Sequence, residues 1–224
     1  PILPIGKESL HFEAAEDFFL TRCKLTSIIS NYDSKTIDYF DLNASNDAYF
    51  IPFGTNMPQN AALQLGFNSR FKEKEIQLAV FLVDSVGTQA ADAITGRVRD
   101  WTSVQLVWEY YRQDGWQKIE NLEDFTANLT SSGRIIFQPP QGAEPLGQTH
   151  WIRSRLERGK YEVIPQINRI LLNCVPVIQT ETIIRENLGL GSGLPFQQFV
   201  LKNHPVIVKR THKPERLYIG DIVD

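Results

Sequence analysis

Glu109 is flanked by Trp108, Tyr110 and Tyr111, and a carboxylate in that company is where catalysis would first be sought. Glycoside hydrolysis uses a pair of carboxylates at a defined separation. The spacing has a plainer meaning, because a strand of a β-sandwich alternates an aromatic core residue with a charged exterior one. Trp108 is therefore expected inside and Glu109 outside, and the chain is not read as an enzyme.

Other residue types that could carry chemistry fall short in the same way. His11, His150, His204 and His212 lie far apart and lack the H-x3-H or C-x2-C spacing of a metal site, so no metal is expected. His150 is read as bordering a strand, and His204 and His212 as loop residues. The run Gly189-Leu190-Gly191-Ser192-Gly193 looks like a phosphate-cradling loop, but no Lys-Ser/Thr follows it. Leu194-Pro195 comes next and opposes a helix start, so the run reads as a flexible turn, and no cofactor is expected. Trp101, Trp108, Trp116 and Trp151 could form a sugar-stacking platform. A sandwich of this size needs the apolar area of buried tryptophans, so Trp108, Trp116 and Trp151 are read first as core and second as platform. Cys23 and Cys174 stand in strand-like apolar contexts and read as buried thiols rather than a disulfide. The sequons at Asn43 and Asn128 read as chance matches.

The elements that must position these residues are strands. The 224 residues suffice for one large β domain, or a domain with an appended piece, without disulfides. The 23 basic and 26 acidic residues are spread along the chain, which leaves no stripe for a phosphate backbone and excludes nucleic acid as the expected partner. The longest apolar stretch, 164–182, is interrupted by Gln, Asn, Arg and Pro and falls short of a membrane span. The chain opens Pro1-Ile2-Leu3-Pro4 without Met or a leader signature, which reads as an excised or processed segment.

Alternation predicts strands at 20–31, 62–67, 75–83, 104–111, 116–119, 134–137, 151–156 and 167–175. Residues 14–19 read as a helical turn or an approach to the first strand, and 45–60 as a long connection lying across a sheet. Residues 84–102 read as an excursion loop with a brief helical turn at 89–94. Asp114-Gly115 should reverse the chain, so that Trp108 and Trp116 meet across a hairpin. Pro139-Pro140 should stop the strand before it. The fold class is mainly β, an antiparallel β-sandwich of jelly-roll or Ig-like kind with long loops and a C-terminal extension. Residues 1–60 are read as an N-terminal strand and connecting segment packing on the sandwich, 61–180 as the sandwich, and 181–224 as a hinge and C-terminal strands leading to a neighbouring domain or subunit. The hinge or interface residues are Gly189, Gly191, Gly193, Phe196, Phe199 and Leu201, with 196–201 as an exported strand.

Five phrases occur in order: W-E-Y-Y-R-Q-D-G-W from Trp108, L-T-S-S-G-R-I-I-F from Leu129, H-W-I-R-S-R-L from His150, I-N-R-I-L-L-N-C-V from Ile167 and E-N-L-G-L-G-S-G-L-P-F-Q-Q-F-V-L from Glu186. Together with Pro52-Phe53-Gly54 and the run A-L-Q-L-G-F from Ala62, they resemble the baseplate assembly proteins of contractile phage tails and related contractile injection systems, a family of baseplate J-like wedge proteins. The likeness covers about residues 10–208. Tyr111 stands where that family carries a second tryptophan, and Asn187-Leu188 where it carries an acidic or Val-Leu pair. The resemblance implies a non-catalytic structural component of a baseplate. Its expected partners are other wedge and hub proteins, and its expected place is a phage tail or injection particle assembled in the bacterial cytoplasm. The alternative is a carbohydrate-binding module on a tail-tip or cell-surface protein, with a glycan as partner.

Overall fold

A computed structural model describes residues 12–14, 18–45, 48–83, 103–179, 186–199 and 201–202. The expected helical turn at 89–94, the tail strands beyond 202, Trp101, His11, His204 and His212 lie outside them. The chain divides into two compact units, Ala14–Val177 and a second formed from Pro1–Glu13 with Ile178–Asp224.

The protein is mainly β and antiparallel. In chain order the described elements are β1 (Phe12–Ala14), β2 (Leu25–Tyr32), β3 (Lys35–Asp38), a one-turn helix α1 (Phe40–Asn43), β4 (Ala62–Phe67), β5 (Ile76–Leu82) and β6 (Val104–Arg112). There follow β7 (Gly115–Lys118), β8 (Leu122–Asp124), β9 (Gly133–Phe137), β10 (Pro145–Leu146), β11 (Thr149–Gly159), β12 (Ile167–Leu172) and β13 (Val177–Gln179). One sheet has the order β3-β2-β4-β11-β6-β7 with β10 on β11; the other has the order β12-β5-β9-β8, and β1 pairs with β13 in a separate two-stranded sheet.

Period-two alternation builds both large sheets. On β5, Ile76, Leu78 and Val80 are buried, and on β9 Ile135 and Phe137 are. They share one apolar core with Ile28, Leu63, Leu65, Phe67, Leu106, Trp108, Ile152 and Leu156 of the larger sheet, the sandwich arrangement in which each strand offers one face inward. The inner row of the larger sheet runs Ser30–Leu63–Ser154–Trp108. Small serines, both fully buried, leave room there for the indole.

Residues 1–60 were expected to pack on a sandwich starting at 61; instead β2 lies within the larger sheet, between β3 and β4. β2 and β3 are joined at Asp33-Ser34, whose φ values of 49° and 60° make the primed turn that matches strand twist. The 45–60 connection contributes core directly, since Phe50 and Phe53 are 2% and 1% exposed and Phe50 bridges to Ile167.

Between β8 and β9 the chain makes a left-handed turn in which Ala127, Asn128 and Leu129 have φ of 51°, 58° and 58°. Each such non-glycine residue costs on the order of 1–2 kcal/mol, so the turn persists only where its surroundings hold it. The Asp124 carboxylate accepts the Thr126 and Asn128 amides at 2.8 and 3.1 Å and the Thr126 hydroxyl. Tyr161 donates to the Asn128 carbonyl at 2.7 Å, and Asn128 Oδ1 accepts the Leu106 amide at 3.0 Å. Burial holds the Asp124 carboxyl above its ordinary value of 3.8, against the pull of its hydrogen bonds. Its contribution to stability is thus full below that value and lost as the pH rises through the raised one. The stability difference between wild type and Asp124→Asn should fall with rising pH across this window, as read by urea denaturation at stepped pH. A difference that grew with pH would mean that the hydrogen bonds outweigh burial.

Candidate functional site

The outer face of the larger sheet carries a cluster of charged side chains, and alternation alone puts it there. In H-W-I-R-S-R-L, Ile152, Ser154 and Leu156 point into the core, which sends Trp151, Arg153 and Arg155 outward. In W-E-Y-Y the same logic buries Trp108 inward and turns Glu109 and Tyr111 to the outer face. Register then sets the two phrases side by side: Arg153 opposes Glu109 across β11 and β6, and Glu109 opposes Lys118 across β6 and β7.

Glu109 is the hub of this face. It accepts Arg153 Nε at 2.6 Å and Arg155 Nη2 at 3.3 Å, while Arg155 Nη1 also reaches Asn60 Oδ1 at 3.1 Å. The carboxylate side chain is 10% exposed and its arginines 18% and 22%, so these are shielded, charge-assisted bonds rather than solvated surface pairs. One carboxylate between two guanidiniums leaves the cluster with an excess positive charge. The Arg153 guanidinium lies 4.2 Å from the Trp116 ring centroid, a cation–π distance, and Tyr111 meets Trp116 edge-on at 5.5 Å. Glu109 is thereby held by salt bridges.

Trp108 is core as expected, 5% exposed. It does not meet Trp116: the register pairs Tyr111 with Trp116, and Trp108 lies on the opposite face of the hairpin. The loop is Gln113-Asp114, with Gly115 opposite Arg112. A two-residue loop there or at the expected Asp114-Gly115 puts Trp108 and Trp116 on opposite faces, so the two tryptophans do not meet in either register. Trp116 and Trp151 are half-buried on the outer face, and the Trp151 ring packs over Gly66, where an added Cβ would lie 2.9 Å from it. Tyr111, Trp116 and Trp151 thus share one face.

The other phrases are also joints. Asn173 of I-N-R-I-L-L-N-C-V accepts the Thr21 amide at 2.8 Å and donates to the Thr21 carbonyl at 2.9 Å, and Asn168 donates to the Ala48 carbonyl at 2.8 Å. Both sequon asparagines serve the fold: Asn43 exchanges two hydrogen bonds with the backbone of Ile170, and Asn128 holds Leu106. These joints were invisible to periodicity because their partners are as much as 152 residues away.

His150 lines a pocket with Arg70, Tyr110, Trp151, Pro139 and Pro140. Burial, then the Arg70 charge, lower its pKa and favour the neutral imidazole. Cys23 is buried and Cys174 half-buried, both free thiols, and burial pushes the Cys174 thiol up. Among the described residues no three His, Cys, Asp or Glu side chains gather with the geometry of a metal site.

In the second unit, Gly189, Gly191 and Gly193 lie in irregular backbone, and 196–199 is a turn and coil rather than the expected strand. Pro195 offers no amide, Phe196 adopts φ 62°, and the Gln197 side chain folds back to accept the Ser192 amide at 2.9 Å and donate to the Leu194 carbonyl at 2.8 Å. The loop displays Leu190 and Phe196 almost fully, at 97% and 98% exposure, and Phe199 at 40%; Leu201 is half-buried. Local side-chain closure, which strand patterns do not encode, replaced the strand. No family model matches the chain, and no curated protein matches it either.

Proposed function

We propose that the chain is a non-catalytic structural component of a contractile tail or injection-system baseplate, which docks wedge subunits through its sandwich surfaces. What supports the reading is the way the ordered phrases of the resemblance depend on one another in space. Glu109 of one holds Arg153 and Arg155 of another, while Asn173 of a third ties down the chain at Thr21. A rigid framework that spends its charged groups on internal joints is suited to holding shape. Large apolar side chains displayed on a loop closed by its own hydrogen bonds, such as Phe196 and Leu190, are suited to anchoring a neighbour. The partners proposed are wedge and hub proteins, and the place a particle assembled in the bacterial cytoplasm.

Mass-spectrometric cross-linking of purified particles tests this reading. Links from this chain to other baseplate subunits are expected, and a chain found in the particle without inter-subunit links would overturn it. A second reading, a carbohydrate-binding module, draws on the three half-buried aromatic residues of the outer face; reproducible micromolar binding on a glycan array would favour it.

A further inference from the structure

We propose that the free edge of β7 is a docking edge for an extended, acidic strand of a partner protein. The inference deepens the assembly reading and rests on it only for the existence of such a partner.

β7 ends the strand order of the larger sheet, and no described strand pairs with its outer side. An unpaired edge offers backbone donors and acceptors at strand spacing, which is what an added strand needs. The other end of the sheet, β3, reads K-T-I-D and carries no aromatic residue. β7 reads G-W-Q-K and carries the Trp116 ring, backed on one side by the Arg153 guanidinium and met edge-on by Tyr111. Trp, Tyr and Arg held on a rigid sheet are the residue types that concentrate binding energy at protein interfaces.

Charge selects the occupant. The row across the outer face runs Arg153, Glu109, Lys118, positive then negative then positive, and it stops at the edge. Lys118 is 63% exposed, and its one ion pair among the described residues is a loose 3.9 Å approach to Glu120, itself 77% exposed, so its charge remains open to a partner. The alternation is continued by an acidic side chain opposite Lys118 on an added strand, and opposite charges placed directly across a sheet attract. A basic strand in that position would be repelled.

The test uses a short peptide alternating Thr and Val around a central Glu, its Gln counterpart, and the isotope-labelled full chain in low salt. Shift changes are expected at the Trp116 and Lys118 amides and the Trp116 indole, with the Glu peptide binding about fivefold tighter than the Gln peptide. In Lys118→Gln, a change at an exposed position that leaves the fold intact, the two peptides should bind equally. Equal binding of both peptides to the wild-type chain, shifts confined to β3, or no binding at all would overturn the proposal. If any of these occurs while cross-linking still joins the chain to baseplate subunits, the edge assignment fails and the assembly reading stands.

Discussion

Replacing Glu109 with alanine should destabilise the fold by about 3 kcal/mol, the lower end of the cost of breaking a buried ion pair from one side. The loss arises less from the two salt bridges than from what they leave behind. Arg153 and Arg155, 18% and 22% exposed, would stand side by side on one face of β11 with no counter-charge. The lower end applies because both arginines retain some water and Arg153 keeps its stacking on Trp116. Glu109→Gln preserves shape and one acceptor and should cost roughly half as much. Converting Glu109, Arg153 and Arg155 together to apolar residues of similar size should recover most of the stability, since the charges then vanish with their desolvation cost. Urea denaturation with an unchanged slope checks all three variants. A Glu109→Ala midpoint indistinguishable from wild type would mean that the cluster is solvated and does not join the phrases.

Gly159→Ala should cost about 4 kcal/mol or leave the chain unfolded, an effect confined to a few mechanisms such as backbone strain combined with a clash. Gly159 ends β11 at φ 81°, and a Cβ there would lie 1.9 Å from the Ser103 carbonyl oxygen. That oxygen cannot retreat freely, because Gly159 opposes Val104 in the ladder between β11 and β6. Gly142→Ala serves as the control: φ is 80°, but the nearest atom is the end of the Arg112 side chain at 4.0 Å. It should cost only about 1 kcal/mol. Equal effects at the two sites, read by thermal or urea denaturation, would remove the close approach of Ser103 from the account.

The sequence made the strands legible wherever one face is buried. Ile135 and Phe137 on β9, and Ile152, Ser154 and Leu156 on β11, alternate as the core demands, and the same rule placed Trp108 inside and Glu109 on the opposite face. What lay beyond the rule is long-range or strained. Glu109 and Arg153 are 44 residues apart, and nothing local in either phrase announces the other. The left-handed turn at Ala127, Asn128 and Leu129 uses residues that normally avoid such backbone, and it exists because Asp124, Thr126 and Tyr161 enclose it. The expected meeting of Trp108 and Trp116 failed on parity, since a two-residue loop at Gln113-Asp114 or at Asp114-Gly115 sends the two rings to opposite faces. The exported strand at 196–201 failed because the Gln197 side chain offered the backbone a local alternative.

Electron imaging of particles assembled with and without this chain tests the central claim most directly. Baseplates are expected to be missing, incomplete or detached when the chain is removed, and restored when it is supplied. Intact baseplates of normal appearance in its absence would contradict it.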